Sequence, residues 1–475
     1  MWQVFGGALP FRPSGVLREM SVPDNDTGQT VLPVLIVGGG FSGTLLAINL
    51  TRLRIPVVLF ERDETALAKG LAFGTRRPEH LLNVRASNMS AFPDDPTHFL
   101  RWMGFSSEDQ ANRFVPRLAY GQYLRELLIN SLGSAPDRLT INAHAVVDLL
   151  ATSQGVEAVL ASGTRVPGRA GVLALGHCAP LLPPVCADLP TPLAWADPWH
   201  PDALKGLDPD APLLLVGTGL TAIDLIASLD KAGHRGRIVA LSRRGLVARS
   251  HLEAGPVVKP VPAFAERGTA LIRAVRARAG RVGWHVAIDE LRPHTQTLWR
   301  AHPIAAQASF LRHLRPWWDV HRHRLAPQIA SRITAMHQED RVMFAAGRLL
   351  EVHAHDGLAT VCWRPRGSDT IARFDAARVL NCTGPEGDIR KSHDPLLQAL
   401  LARGTIRPDP HKLGLDVDPK WRVCDQHGVA TSSIHAVGPL TKGIAWEIIA
   451  VPDIRHQVWT LARQLSGTDS PISNI

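Results

Sequence analysis

The chain has 475 residues, more than one hydrophobic core usually serves, so we expect two domains or a domain with an insertion. Apolar residues make up 45% and charged residues 20%, which excludes an extensively disordered or collagen-like protein. The formal net charge of +9 comes from arginines spread along the whole chain. Because they form no tract beside aromatic residues, we predict no nucleic-acid partner and expect the excess charge to attract anionic small molecules.

The N-terminal segment shows neither an apolar run long enough for a membrane span nor the ordered regions of a signal peptide, so no membrane partner is predicted. We expect residues 1–30 to be disordered or extended and rest no fold prediction on residues 1–19. The five cysteines form no Cys-x-x-Cys pair, which indicates neither a disulfide framework nor a zinc ribbon. We therefore expect a cytoplasmic protein whose cysteines are buried as small apolar residues.

The first motif lies in a predicted strand, helix, strand unit. The apolar run 31–37 meets three glycines, leucines then recur at helical spacing, and a second apolar run, 57–60, ends at an acid. Such a Gly-x-Gly-x-x-Gly turn allows a backbone to approach a pyrophosphate at a helix N-terminus, and the acid can bind a ribose. A glycine turn without a ligand is the weaker alternative. The predicted dinucleotide contacts are Gly38, Gly40, Phe41, Ser42, Gly43, Glu61 and Arg62.

A second unit of the same kind begins at the apolar run 213–216 and continues to a strand at 238–241. Arginines follow that strand where an NAD site would carry an acid, and guanidinium groups suit a 2′-phosphate, so NADPH is favoured over NADH. A solvated arginine pair is the alternative. Asp224 is expected to help cap the helix, without a catalytic role. The predicted contacts are Gly217, Gly219, Leu220, Thr221, Ser242, Arg243 and Arg244.

Two dinucleotide sites imply electron transfer between two cofactors, because a flavin accepts hydride from NADPH. Further segments carry a resemblance: 70–75, 80–86, 89–90, 116–117, 120–121, 242–245, 250–251, 316–319, 438–443, 446–447 and Pro452. In these and in its order of parts, the chain resembles the bacterial FAD-NAD(P)-binding proteins related to flavin-dependent N-hydroxylating monooxygenases. The resemblance covers most of the chain and implies the cofactors FAD and NADPH.

The resemblance also implies roles for single residues. Asn83 and Arg85 would lie near the flavin ring, as candidate catalytic residues. Gly438, with the helix expected after it, would approach the pyrimidine end, where a helix N-terminus stabilises reduced flavin. The other residues assigned to cofactor binding are Met89, Arg117, Gly176, Gly384 and Gly443.

The predicted fold is α/β, with two Rossmann-like dinucleotide-binding domains. The FAD domain is discontinuous (31–205 and 351–475), and the NADPH domain, with a helical insertion at about 260–336, occupies 206–350. The prolines of 180–212 indicate a linker. Within the insertion, His313 and the run 321–324 suggest a metal site weakly, because histidines two apart face different sides of a helix. No metal is predicted. A solvated basic face is the favoured interpretation of this run, and a contact to substrate or to an NADPH phosphate is the alternative. Trp317 and Trp318 are expected to pack in the core.

Three functions stay open. The first is an NADPH-dependent monooxygenase in which a flavin hydroperoxide oxygenates a small nucleophile, an amine or an amino acid, with dioxygen as co-substrate. The second is a flavin reductase or dehydrogenase that passes electrons to a small molecule or a protein. The third is a non-catalytic flavin-binding redox module. A dithiol relay is disfavoured because no cysteine pair is placed for it, and the sequence leaves the oligomeric state open.

Overall fold

The computed structural model describes residues 31–255 and 266–468, so the expectation of disorder in 1–30 lies outside the described residues. Five four-residue strands are buried along their whole length, Val34–Val37, Val57–Phe60, Ala170–Leu173, Leu213–Val216 and Arg378–Asn381. They are β1 Val34–Val37, β2 Val57–Phe60, β3 Leu139–Asn142, β4 Val146–Thr152, β5 Gly155–Leu160, β6 Arg165–Gly168, β7 Ala170–Leu173, β8 Ala194–Trp195, β9 Leu213–Val216, β10 Ile238–Ser242, β11 Val342–His355, β12 Leu358–Pro365, β13 Ala372–Ala376, β14 Arg378–Asn381, β15 Arg422–Cys424 and β16 Ala430–Ala436.

The helices fall into an N-terminal group of five, a single helix between β9 and β10, a central group between β10 and β11, and a C-terminal pair. They are α1 Phe41–Arg52, α2 Gly70–Phe73, α3 His98–Trp102, α4 Glu108–Ala111, α5 Arg117–Ser134, α6 Leu220–Lys231, α7 Gly268–Val282, α8 Trp284–Leu291, α9 Thr295–Ala301, α10 Ile304–His313, α11 Arg315–Arg322, α12 Pro327–Gln338, α13 Pro395–Ala402 and α14 Val451–Ser466. Across the described ranges, no helix has both the length and the apolar content needed to cross a bilayer.

The first sheet has the strand order β15-β16-β7-β1-β2-β3. Its central strand β1 pairs in parallel with β2 and β7, and all of its residues are buried, as the apolar run predicts. Helices α1, α5 and α14 cover one face, where Leu45, Tyr123 and Val458 share a core. The antiparallel strands β4, β5 and β6 and helix α13 cover the other face. This arrangement places the carboxyl ends of β1 and β2 at an open edge, where dinucleotide sites form.

The second sheet has the order β13-β12-β11-β10-β9-β14-β8. Strands β8, β9, β10 and β14 run parallel, and β11 pairs in parallel with β10 before it turns into the antiparallel hairpin β11–β12. The predicted boundaries at 205 and 351 are therefore corrected. The second sheet includes β8, which lies before residue 205, and the strands β12 to β14, which lie after residue 351. The chain therefore returns to the first domain only after Asn381.

The helices α7 to α12 form the predicted insertion between β10 and β11; residues 256–265 lie outside the described residues. Helix α12 packs on the second domain, where Ile333 and Met336 join the core under β9 and β10. The preceding helices reach the first domain instead, since the indole nitrogen of Trp299 donates to the carbonyl of Gly443 at 2.7 Å. The insertion thus spans both domains beside the cleft between them.

Candidate coenzyme and substrate site

The first glycine motif forms the tight turn that its spacing predicts. Gly38 has a φ of +104°, and a Cβ atom there would lie 2.5 Å from the carbonyl oxygen of Ala174. A Cβ atom on Gly43 would overlap the carbonyl oxygen of Gly38. At Gly40 the nearest atom to such a Cβ is the Cα of Gly70, at 3.4 Å, and α1 has no side-chain cap. The backbone N–H groups at the start of α1 therefore have no side-chain cap, and the phosphate contact assigned to Phe41 and Ser42 stays a prediction.

Glu61 lies at the end of β2, where the ribose-binding acid is predicted. One of its carboxylate oxygens accepts a hydrogen bond from the backbone nitrogen of Gly39 at 2.8 Å. A cavity of about 370 Å³ opens beside it and is lined by Gly38, Glu61, Arg62 and His177, among others. This cavity extends from the glycine turn along the edge of the first sheet, which is the course that a dinucleotide takes in such folds.

The return segment meets the first turn of α1 directly. Gly438 has a φ of +75°, and a Cβ atom there would overlap the hydroxyl of Ser42. Its backbone nitrogen donates to the side chain of Gln457 at 2.7 Å. In place of the helix expected directly after Gly438, the chain forms a short 3-10 turn, Gly438–Thr441. The next helix, α14, begins at Val451. Gly176 also has positive φ, at +73°, in the loop after β7, and no atom lies within 4 Å of a Cβ built on it.

The second motif repeats this geometry. Gly217 has a φ of +126°, and a Cβ atom there would overlap the carbonyl oxygen of Cys382. Gly219 precedes α6 with a φ of −82°, and no protein atom lies within 4 Å of a Cβ built on it. Helix α6 also has no side-chain cap. Its first turn, with Leu220 and Thr221, is open to a second anionic ligand.

The predicted 2′-phosphate contacts lie at the end of β10 and directly after it. Ser242 and Thr218 share a hydrogen bond of 2.9 Å between their hydroxyls, and the Ser242 hydroxyl accepts from the backbone nitrogen of Gly245 at 3.0 Å. Arg243 is exposed and Arg244 is partly buried. Within the described ranges, neither guanidinium forms an ion pair or a hydrogen bond. Both are therefore available to an anion, and the predicted 2′-phosphate role stays a prediction.

Ion pairs and hydrogen bonds join the two domains. Arg117 of α5 pairs with Asp224 of α6 at 2.7 Å, and His80 shares a 2.7 Å hydrogen bond with the hydroxyl of Ser228. The carboxylate of Asp224, expected to cap the helix, instead faces the first domain. Burial raises the pKa of Asp224, although Arg117 and His80 oppose that effect. These contacts fix the second glycine turn relative to the first domain.

A larger cavity, of about 650 Å³, lies between the domains. His177 lines this cavity as well as the smaller one, and burial lowers its pKa to about 4, so it is neutral at pH 7. The larger cavity therefore continues from the first dinucleotide edge to the second glycine turn. Of the residues predicted from the sequence, it is lined by Asn83, Met89, Arg117, Gly219, Leu220, Thr221 and Gly384.

Two predicted site residues have other contacts. Arg85 donates to the carbonyls of Asn112 at 2.7 Å and Leu252 at 2.6 Å, so it ties the two domains together while Asn83 lines the cavity. The catalytic role implied for Asn83 and Arg85 stays a prediction. A Cβ atom on Gly443 would overlap the side chain of Asp409, so this glycine serves close packing.

The predicted solvated basic face of 321–324 is also corrected. The side chain of Arg322 is 9% exposed and that of Arg324 is 2% exposed, and Arg324 pairs with Asp289 at 2.5 Å. Arg322 and His323 line the larger cavity. Burial lowers the pKa of His323, although Glu447 opposes it. Among the described residues, no group of three or more metal-binding side chains occurs.

Sequence reasoning assigned no role to Glu447, which lies behind the cavity. Its carboxylate accepts a 2.7 Å hydrogen bond from the indole nitrogen of Trp318 and pairs with Arg322 at 3.1 Å. Burial by itself would raise the pKa of Glu447, but His323 and Arg322 together lower it. Its φ of +74° is unusual outside glycine, and such strain is held only where the surroundings enforce it. Trp318 is thus an anchor of α11, whereas Trp317 is 45% exposed and not in the core.

The cysteines do not form a dithiol pair. All five are free, and Cys178 is the one that is partly exposed. Cys382 lines the larger cavity, and burial raises the pKa of its thiol to about 12. Burial also raises the pKa of Cys186, to about 11. Such thiols are poor nucleophiles, because the thiolate is the reactive form.

A comparison with family models adds a finding to this geometry. Residues 35–178, which contain the first glycine turn, Glu61 and His177, match the family described as FAD-NAD(P)-binding. This segment is similar to FAD-NAD(P)-binding domains. No curated protein sequence matches the chain. The rest of the first domain, from α13 to α14, completes the first sheet outside the matched range.

Solved structures show the same two-domain fold at low sequence identity. The L-lysine 6-monooxygenase of Pseudomonas syringae superposes with a TM-score of 0.65 at 15% identity, over 92% of this chain and 100% of that one. An ornithine N-hydroxylase from a Kutzneria species, whose structure contains reduced FAD, NADP⁺ and L-ornithine, gives 0.61 at 13% identity, over 93% and 100%. A bacillithiol disulfide reductase of Bacillus cereus gives 0.54 at 14% identity, over 92% and 99%. The predicted fold class is thereby confirmed.

Proposed function

We propose that the protein is an FAD-dependent, NADPH-oxidising monooxygenase that acts on a small nucleophilic substrate, an amine or an amino acid. The observation that carries this proposal is the larger cavity, which is bordered on one side by Asn83 and Met89 of the FAD-NAD(P)-binding domain and on the other by Gly219 of the second glycine turn. Both coenzyme sites thus open onto one space. That geometry supports hydride transfer between two bound nucleotides, because reacting atoms must approach within about 3.5 Å.

The residues fit both coenzymes. Gly40 and Gly219 leave open backbone where a pyrophosphate approaches, and each precedes a helix N-terminus without a side-chain cap. Gly38, Glu61 and Arg62 would hold the adenosine half of FAD, and Arg243 and Arg244 the 2′-phosphate of NADPH. Bound FAD supplies the redox chemistry, taking hydride from NADPH and reducing dioxygen.

The overall reaction consumes the substrate amine, dioxygen, NADPH and one proton, and yields the hydroxylamine, NADP⁺ and water. One oxygen atom enters the N–O bond and the other leaves as water. The chain contributes binding, orientation and exclusion of solvent, since the cleft is closed on one side by the interdomain pairs of Arg117 and His80. The similarity to solved N-hydroxylating enzymes supports the oxygenase over the reductase reading, and the absence of a reactive dithiol among the described cysteines disfavours a disulfide reductase.

The test is a stopped-flow experiment on the purified yellow protein. The flavin is first reduced anaerobically with NADPH, and oxygen is then admitted while absorbance is recorded near about 370 and about 450 nm. A transient in the first band before the second recovers supports a monooxygenase. Direct recovery at the longer wavelength contradicts it and favours a flavin reductase, whereas a flavin that NADPH cannot reduce indicates a non-catalytic module.

A further inference from the structure

The larger cavity has an uneven charge lining. Five cationic side chains line it, Arg117, Arg315, Arg322, Lys412 and Lys442, against two carboxylates, Asp319 and Glu386. Both carboxylates are already neutralised within the protein. Asp319 pairs with Arg315 at 3.4 Å, and Glu386 pairs with Lys391 at 2.9 Å. Arg117 and Arg322 also pair with carboxylates outside the lining, Asp224 at 2.7 Å and Glu447 at 3.1 Å. Among the described residues, Lys412 and Lys442 have no paired carboxylate, so the space left for a substrate is electropositive.

Arg322 is the best-buried of these cations. Its side chain is 9% exposed, and Glu447 pairs with its Nε atom at 3.1 Å without the angle of a hydrogen bond. Within the part of the chain that the structure describes, the Nε and Nη2 atoms of this guanidinium have no hydrogen-bond partner. Buried donors are rarely left unpaired, because each costs about 1 to 3 kcal/mol. An arginine held in this state on a cavity wall is prepared for an external acceptor.

Lys442 lies on the same wall, four residues after Gly438 in the return segment. Its ammonium group lies 5.1 Å from the ring centroid of Trp446, and among the described residues no carboxylate pairs with it. Arg322 is held in place by Glu447, whose carboxylate accepts a 2.7 Å hydrogen bond from Trp318. Two fixed cations therefore face a cavity that contains no free protein carboxylate to satisfy them.

We propose that Arg322 and Lys442 bind an anionic group of the substrate, with a carboxylate as the best match in shape. A carboxylate offers two acceptor oxygens to the free edge of a guanidinium and can accept from an ammonium at the same time. The proposal rests on the proposed function in taking this cavity as the place where the substrate meets the flavin. It excludes a simple alkylammonium ion as substrate, because the lining would repel it.

The same chemistry has a second source, because the phosphates of NADPH are also anions. The test therefore uses the oxidised, FAD-loaded protein, with benzoate as probe and benzamide and benzylamine as neutral and cationic analogues of similar shape. Binding is measured by calorimetry, with and without saturating NADP⁺. Benzoate is expected to bind about tenfold or more tightly than either analogue, with similar affinity in the presence of NADP⁺. Displacement of benzoate by NADP⁺ would assign the cations to the coenzyme and overturn the proposal.

Two variants localise the site. Lys442→Met should weaken benzoate binding about tenfold or more, whereas Lys420→Met, which removes the same charge from an exposed turn, should leave it unchanged. The double variant Arg322→Gln, Glu447→Gln removes both members of a buried ion pair, so no unpaired charge is left. This variant should also weaken benzoate binding about tenfold or more. Each variant is checked for bound FAD. The anion site would be refuted if Lys442→Met and the double variant both bound benzoate with wild-type affinity. Equal binding of benzoate and benzamide by the wild type would also refute it.

These measurements require neither NADPH oxidation nor oxygen, so their failure is distinct from failure of the proposed function. Benzoate binding without a transient near about 370 nm would keep the anion site and make the anion the acceptor of a reductase. A transient without selective benzoate binding would keep the oxygenase and exclude an anionic substrate.

Discussion

Gly43 has no room for a methyl group, because its Cβ would overlap the carbonyl oxygen of Gly38. Gly43→Ala should therefore push α1 away from the glycine turn and destabilise the protein by about 1 to 3 kcal/mol. The purified variant is expected to lose most of its FAD, as measured by the ratio of absorbance at about 450 nm to protein. Gly133→Ala is the control, since it lies in α5 with no atom within 4 Å of a Cβ. Full flavin content in the Gly43 variant would contradict the assigned pyrophosphate turn.

Arg243 and Arg244 follow β10, and neither guanidinium is paired within the described ranges, so both are predicted to contact a 2′-phosphate. Replacing both with alanine should raise the Michaelis constant for NADPH about tenfold or more and change that for NADH little, because NADH lacks the phosphate. Steady-state oxidation of each coenzyme measures the two constants. A parallel rise for NADH and NADPH would show that these arginines do not select the coenzyme.

Single residues also show where sequence reasoning ends. Gly38, Gly43 and Gly217 could be assigned because a fixed spacing after a strand forces one backbone shape. Glu447 and Arg322 could not, since they lie 125 positions apart in sequence and meet only when α11 packs on the return segment. The basic run 321–324 read as a solvated face for the same reason: its burial depends on a distant element.

A buried hydrogen bond helps to hold helix α11 against the first domain. The indole nitrogen of Trp318 donates to the carboxylate of Glu447 at 2.7 Å. Trp318→Phe keeps a smaller aromatic ring but removes the donor, and the unfolding free energy should fall by about 1 to 3 kcal/mol because the acceptor is a buried carboxylate. The exposed neighbour supplies the control, as Trp317→Phe should change the melting temperature little. Thermal melts that shift equally for both variants would remove the anchor role of Trp318.

At the scale of elements, the strands of the two parallel sheets were predictable and the insertion was not. Apolar runs predicted β2 and β9 with their observed bounds and β10 within one residue, whereas the run 31–37 begins three residues before β1. Strands buried on both faces leave such a continuous apolar signature. The hairpin β11–β12 extends the second sheet by pairings that carry no comparable signature, and this moved the domain boundary beyond 351. The helices α7 to α11 were recognised only as a helical region, since their packing partners lie in both domains.

For the whole molecule, buried neutral histidines predict how stability depends on pH. Burial lowers the pKa of His251 and of His435 to about 4 from an ordinary 6.5. The unfolded chain therefore binds protons between about pH 6.5 and 4 that the folded chain does not, so stability is complete above that window and falls as pH decreases through it. Each histidine contributes a slope of about 1.4 kcal/mol per pH unit there.

His435→Gln should reduce this slope, measured from urea unfolding at pH 7, 6 and 5, whereas the exposed His353→Gln should not. An unchanged slope in the His435 variant would show that this residue is not the neutral, buried group that the structure indicates.

The central claim for the whole molecule is that one chain brings NADPH to a flavin across the cleft between its two domains. Gly219→Ala tests it most directly, because the added methyl group meets no protein atom within 4 Å and intrudes only on a bound coenzyme. The bleaching of the flavin by limiting NADPH is followed anaerobically for the wild type and this variant. We expect rapid bleaching of the wild-type flavin and a loss of apparent NADPH affinity in the variant of about tenfold or more. The FAD content and melting temperature of the variant should be unchanged. Equal bleaching of both proteins, or none in the wild type, would contradict it.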